Sequence, residues 1–255
     1  MTPIRFIIAA LSGLAAGVLS GALGVGGGIL AQPALRLLLG AREIVAVATP
    51  LPMILPTALT GALTYRKAGE VDLRAAGWMA LPGGLGAIAG ALLTKVVEPG
   101  VLLVLTAALL AWQSANVIRR GRVHEVAPHN VPGWRFAVLG LGAGALSGLL
   151  GIGGGLIMVP VLAGFVGMPL KRALGTSLVA IVAIVVPGTV VHAILGHVHW
   201  GLFLALTLGA VPGARIGARL ALAAREHRLR VFVGSAMMAL AGFYGLRELV
   251  LLLQG

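Results

Sequence analysis

The sequence predicts an all-α, polytopic membrane protein built from two inverted-topology repeats, each a glycine-broken helical hairpin followed by three transmembrane helices. Three observations carry this prediction. A glycine-rich block occurs twice, the composition suits lipid rather than water, and most of the basic residues gather on one side of a membrane only if the two halves have opposite orientations.

The block Leu19-Ser20-Gly21-Ala22-Leu23-Gly24-Val25-Gly26-Gly27-Gly28, followed by Pro33, returns as Leu146-Ser147-Gly148-Leu149-Leu150-Gly151-Ile152-Gly153-Gly154-Gly155, followed by Pro160. The offset is 127 residues, and residues 14–35 share 13 identities with residues 141–162 without a gap. The register continues beyond the block, pairing Gly40 with Gly167, Thr49 with Thr176, Gly69 with Gly196 and Gly90 with Gly217. Two related halves therefore make up the chain.

Hydrophobic residues make up 59% of the chain and charged residues 10%, against about 25% charged in a typical soluble domain. Such a chain cannot cover a water-soluble surface, and the expected location is the cell inner membrane, as a multi-pass protein. The 19 basic residues, giving a net charge of +12, lie at the ends of apolar spans rather than on one soluble face. That pattern points to membrane orientation and to no nucleic-acid partner. Cysteine is absent, which removes disulfides, thiolate nucleophiles and Cys-ligated metals.

Apolar stretches run over residues 4–40, 44–65, 73–94, 101–118, 136–167, 173–195, 200–223 and 231–253. The polar segment 119–134 joins them, dividing the chain into a first repeat (1–118), a cytoplasmic linker (119–134) and a second repeat (135–255). Arg5 before the apolar run from Phe6 has the look of a signal peptide, but residues 14–28 match residues 141–155, so the first stretch is expected to stay in the mature chain. The first and fifth stretches, at about 37 and 32 residues, exceed the roughly 20 that one helical crossing needs. Each contains three consecutive glycines, and glycine costs a helix interior about 1 kcal/mol relative to alanine. Each stretch is therefore expected to break into two arms, with Pro33 and Pro160 early in the second arm, where a missing amide hydrogen is tolerated.

Charge decides how those arms cross, because cytoplasmic loops gather Lys and Arg. With the linker inside and each long stretch crossing once, 9 basic residues fall inside and 10 outside. If each long stretch folds back as a hairpin, 14 fall inside, leaving Arg5, Arg36, Arg42, Lys95 and Arg247 as the 5 outside. The hairpin arrangement inverts the second half relative to the first, a design common among secondary transporters.

The doubled L-S-G-x-x-G-x-G-G-G motif, the proline after it and the short charged linker between similar halves resemble the TauE/SafE sulfite exporter family, also called the 4-toluene sulfonate uptake permease family. The likeness spans the chain. It implies a transporter of small sulfur-containing organic anions: sulfoacetate, other sulfonates or sulfite. Some relatives carry cysteines beside the glycine motif, and a thiol-dependent role does not apply to this chain.

The residues fit an anion site independently. Consecutive glycines allow close backbone approach, and a helix that starts just after them aims free amide hydrogens and about half a positive charge at a ligand. Gly26, Gly27, Gly28, Gly153, Gly154 and Gly155 are therefore candidate substrate-binding positions. Close helix packing is the competing reading, and it fits the spaced Gly86/Gly90 and Gly209/Gly213/Gly217 better. Gln32, one turn into the second arm, offers an amide donor, and its repeat partner is Val159. Thr49 and Thr176 recur early in the span after each hairpin, beside Pro50 and Ser177 respectively, where a hydroxyl, that of Ser177 included, can reach a ligand or bond back to its own helix. Pro50, Pro52 and Pro56 suggest a kinked or partly unwound segment, with Pro187-Gly188 its weaker counterpart. Arg215, well inside its span, is either an anion partner or gate, or a side chain reaching for the cytoplasmic surface beside Arg219.

All seven carboxylates lie at span ends or in loops, so no buried Asp or Glu offers a proton relay. His192 is the titratable group nearest a span interior. His192, His197 and His199 form a weak metal pattern and the main basis for an alternative reading as an intramembrane metal-dependent enzyme; a non-transporting scaffold is the other. No H-E-x-x-H, G-x-S-x-G or Walker glycine-lysine motif occurs, and the glycine run lacks the strand of a dinucleotide-binding fingerprint. The expected function is transport by alternating access, without a cofactor and without catalysis.

Overall fold

The structure is a computed structural model and describes residues 2–119, 131–164 and 166–225, together with Ser235, Met238 and Gly242. Most of the linker, the eighth apolar stretch apart from those three residues, and Arg120, Arg122, Arg228, Arg230 and Arg247 lie outside the described residues. Among the described residues the regular elements are helices: α1 (Pro3–Leu23), α2 (Gly28–Leu37), α3 (Glu43–Ala48), α4 (Pro50–Lys67), α5 (Leu73–Leu93), α6 (Pro99–Arg119), α7 (Gly133–Leu150), α8 (Gly155–Gly164), α9 (Leu170–Ile194) and α10 (Trp200–Ala223). Six stretches are long and apolar enough to cross a membrane: α1, α3 with α4, α5, α7, α9 and α10. The chain is a multi-pass membrane protein.

Each long apolar stretch breaks at its glycines. α1 ends on Gly24 in the left-handed region (φ 68°), Gly26 and Gly27 follow at φ 92° and 89°, and α2 begins at Gly28. α7 ends the same way on Gly151 (φ 69°), Gly153 and Gly154 follow at 84° and 74°, and α8 begins at Gly155. Side chains with a Cβ strain to reach such backbone angles, so these positions need glycine. The first break folds the chain back on itself: an Arg5 guanidinium nitrogen donates to the Leu39 carbonyl at 2.7 Å, bringing the far ends of the two arms together.

The prolines do not unwind the following span. α3 and α4 are separated only by Thr49, which is itself helical in φ and ψ, and α9 runs unbroken through Pro187. Pro50 and Pro52 each remove only one amide hydrogen from this run, those that would meet the Ala46 and Ala48 carbonyls, and the helical backbone continues through them. Around Pro56, the Thr57 hydroxyl meets the Met53 and Ile54 carbonyls (2.8 and 2.9 Å) and the Thr60 hydroxyl donates to the Pro56 carbonyl at 2.7 Å.

The halves interlock through two seams of small residues. Gly13, Gly17 and Gly21 of α1 lie on Leu206, Ala210 and Ala214 of α10, and Gly140, Gly144 and Gly148 of α7 lie on Met79, Gly83 and Ala87 of α5. A Cβ at any of these six glycines would overlap a backbone carbonyl of the facing helix. Every contact in the second seam is the first shifted by 127 residues. Gly209, Gly213 and Gly217 answer from α10 onto α1, and Gly86 and Gly90 from α5 onto α7. Without a hydrophobic force between helices in lipid, such backbone approach supplies the packing. Contact order rises together along both partners, so α1 runs parallel to α10 and α7 parallel to α5.

The charges sort to two ends. At one, Arg172 pairs with Asp72 (3.4 Å), the Lys171 ammonium donates to the Leu222 carbonyl (2.6 Å), and Lys67, Arg215 and Arg219 share a cleft. At the other lie Arg5 with Leu39, the Arg36–Glu43 ion pair, and Lys95 near His197.

Candidate anion site

The two glycine breaks meet. A Cβ on Gly28 would overlap the Gly151 carbonyl and stand 2.9 Å from Ile152 Cα, and one on Gly155 would overlap the Gly24 carbonyl and stand 2.6 Å from Val25 Cα. Gly26 faces Gly153 Cα, and Gly153 faces the Val25 carbonyl. The starts of α2 and α8, with amide hydrogens that helix geometry leaves unpaired, therefore lie side by side. Gly28 and Gly155 are glycine because backbone packs on backbone there. Gly27 differs: a Cβ would meet the Met53 methyl at 3.2 Å and Ser20 Cβ at 3.4 Å, which are side-chain atoms. Its twin Gly154 is tighter, since a Cβ there would stand 2.7 Å from the Ala143 carbonyl.

Around these breaks stand buried polar groups with no partner. Among the described residues, the Ser20 and Ser147 hydroxyls and both the nitrogen and the oxygen of the Gln32 amide are buried and make no hydrogen bond; Gln32 is 0% exposed. An unsatisfied buried polar group costs about 1–3 kcal/mol, so each calls for a ligand or water. Ser20 lies against Gly27, and Gln32 lies one turn along α2 from Gly28, on the same face. Ser20 and Ser147 are repeat twins inside the doubled motif. The glycines draw attention in the sequence; the signal for the serines is that theirs is the only hydroxyl the motif repeats.

The other sequence candidates are held in contacts between the halves. The Thr49 hydroxyl accepts from the His199 amide (3.1 Å) and the Thr176 hydroxyl from the Asp72 amide (2.9 Å), a symmetric pair that ties each span to the residue capping α10 or α5. Ser177 donates to the Gly24 carbonyl at 2.8 Å, fixing the first break, and also lies 2.9 Å from the Leu174 carbonyl. Arg215 is exposed in the cleft between α4 and α10, and none of the break glycines lines that cleft.

A further symmetric pair, Tyr65 and His192, is hidden in the sequence because the residue types differ. The Tyr65 hydroxyl donates to the Gly21 carbonyl (3.0 Å), and His192 Nε2 meets the Gly148 carbonyl (2.9 Å). With Nε2 carrying the proton, Nδ1 of His192 accepts from Nδ1 of His197 at 3.2 Å. Burial, and after it the charge of Lys95, hold the His197 imidazole below the usual histidine range. His199 caps α10, its Nδ1 accepting from the Leu202 amide at 3.2 Å. Among the described residues no three His, Cys, Asp or Glu side chains gather as a metal site.

Comparison with known proteins places this architecture. Residues 9–244 match the family Sulfite exporter TauE/SafE. The chain belongs to that family. It is 30% identical to "Probable membrane transporter protein YunE" of Bacillus subtilis, over 84% of this chain and 88% of the relative. It is also 30% identical to a "Probable membrane transporter protein" of Xylella fastidiosa (strain Temecula1), over 94% and 95%, and 22% identical to "Probable membrane transporter protein MJ0441" of Methanocaldococcus jannaschii, over 93% and 92%. No solved structure matches the chain. This TauE/SafE protein is a membrane transporter, and its two interlocked glycine breaks are its candidate substrate site.

Proposed function

We propose that this TauE/SafE protein moves a small sulfur-containing organic anion, such as sulfoacetate, another sulfonate or sulfite, by alternating access, with the anion held where the two breaks meet. The observation that carries the reading is the set of buried, unpartnered Ser20, Ser147 and Gln32 around two helix starts. Sulfonate and sulfite oxygens only accept hydrogen bonds in their ionised forms, and this set supplies hydroxyl and amide donors together with helix amides and dipoles. Broken helices meeting near the midplane are where secondary transporters bind substrate. Neutral donors would hold an anion without trapping it as a fixed opposite charge would.

The halves act as opposed gates in this reading, which requires opposite orientations. Two structural facts support it. The seams place α7 of the second half parallel to α5, and α5 follows α4 through a short turn; α4 meets α1 with its Tyr65 end against Gly21, near the end of α1. The same seams gather Lys67, Lys171, Arg172, Arg215 and Arg219 at one end, all five among the residues that the hairpin reading assigns to the cytoplasm. Ala68 and Leu195 are repeat twins that follow α4 and α9. Single cysteines at these two positions are expected to react with an impermeant thiol reagent from opposite faces, Ala68→Cys from the cytoplasm and Leu195→Cys from outside. Reaction from one shared face would end the inverted arrangement.

Transport itself is tested in proteoliposomes with labelled sulfoacetate, sulfite, sulfate and a carboxylate of equal size. Saturable flux of the first two, driven by their own gradient and competed by one another, is the expected result. Flux of the carboxylate alone would reassign the substrate, and no flux of any anion would leave a membrane scaffold.

A further inference from the structure

At the end of the bundle that gathers the basic residues, α4 and α10 flank a cleft of about 520 Å³. Lys67, Arg215 and Arg219 line it with Thr60 and Thr64, and no carboxylate does. Among the described residues these three cations make no ion pair or hydrogen bond. The threonine hydroxyls are turned to their own helix, donating to the Pro56 carbonyl at 2.7 Å and the Thr60 carbonyl at 2.9 Å. Recognition in this cleft therefore rests on positive charge.

Before the cleft along each helix, α4 and α10 present exposed leucines on the faces that carry its cations. Along α4, Leu59, Leu63 and Lys67 step by four residues, and along α10 Leu204 and Leu208 share a face with Arg215 and Arg219. Leu59, Leu63, Leu204 and Leu208 are exposed, at 47% to 65% of their surface. A cationic head region joined to leucine-lined flanks matches an amphiphile with an anionic head and acyl chains.

The repeat shows that this charge is confined to one end of the bundle, on α4 of the first half and α10 of the second. At the offset of 127, Thr60, Thr64, Lys67, Arg215 and Arg219 correspond to Pro187, Val191, Ile194, Ile88 and Leu92. The equivalent positions at the other end of the bundle thus carry no charge. An intramembrane arginine is costly, and three unpaired cations on one side only are matched by a partner found on that side.

We infer that the cleft between α4 and α10 binds the phosphate of an anionic phospholipid headgroup, with acyl chains lying along Leu59, Leu63, Leu204 and Leu208. On the orientation proposed above, the lipid comes from the cytoplasmic leaflet. The site is separate from the glycine breaks and does not depend on the substrate assigned to them.

The test is native mass spectrometry with parallel melting curves on the purified full chain, adding phosphatidylglycerol, phosphatidylcholine or glycerol 3-phosphate. Phosphatidylglycerol is expected to be retained and to raise the melting temperature, with the other two doing neither. Lys67→Gln/Arg215→Gln/Arg219→Gln should weaken phosphatidylglycerol retention tenfold or more, while Arg215→Lys/Arg219→Lys keeps most of it. Equal retention of the two lipids by the unmodified protein overturns the inference, whether or not the triple variant folds. A shift of the same size with glycerol 3-phosphate, lost in the triple glutamine variant, also overturns it and makes the cleft a vestibule for free anions.

Discussion

Gln32→Met is expected to raise the melting temperature of the purified protein while weakening sulfoacetate binding tenfold or more. The two outcomes share one cause. The Gln32 amide is fully buried and neither of its polar atoms has a partner among the described residues, so in the empty protein it is a liability of about 1–3 kcal/mol. Methionine fills nearly the same volume without a polar group and removes that cost. In the occupied protein the same amide is a donor to the anion, and methionine offers nothing in its place. Stability gained as function is lost marks a binding residue held in readiness. Stability and affinity falling together would make Gln32 a packing residue.

Gly144→Leu should have the opposite character and a larger structural effect. Its Cβ would overlap the Gly83 carbonyl of α5, and the obstacle is backbone, which cannot rotate aside. Overpacking a core typically costs about 1–3 kcal/mol, and here the whole α5–α7 seam must separate to admit the side chain. We expect little or no monodisperse protein after extraction, and the same from its repeat twin Gly17→Leu, which meets the Ala210 carbonyl of α10. Gly142→Leu, two residues away on α7 where a Cβ meets nothing within 4 Å, should extract and melt like the unmodified chain. Size-exclusion profiles of the three variants decide it. Normal behaviour of Gly144→Leu would mean that the seam is looser than drawn.

Much of this was legible in the sequence because it follows from spacing and backbone sterics. Contiguous glycines forecast the breaks, and glycines at every fourth position forecast the seams. Both depend on what a Cβ would do, and glycine reveals that by its presence. The repeat also told which residues are equivalent, but equivalence does not reveal contact. Thr49 and Thr176 proved to reach across to His199 and Asp72, and Tyr65 and His192 to reach back to the glycine before each break. Those bonds join residues from 44 to 150 positions apart, where no local pattern points. The Pro50–Pro56 region reads as unwound because each proline removes an amide hydrogen. It stays helical because each proline removes only one amide hydrogen while its neighbours keep the helical backbone, and threonine hydroxyls bond to carbonyls around Pro56. The direction in which Arg215 points depends on which helix packs beside α10, and spacing along α10 does not contain that.

Sulfoacetate counterflow in proteoliposomes, comparing the unmodified protein with Ser20→Ala/Ser147→Ala, tests the central claim most directly. Each serine loses one oxygen that has no partner among the described residues, so the double variant should fold and melt at least as high as the original. The account predicts that its counterflow nevertheless falls at least tenfold at subsaturating sulfoacetate, with insertion into the vesicles unchanged. Counterflow equal to that of the unmodified protein would contradict it and place the anion somewhere other than the meeting point of the two breaks.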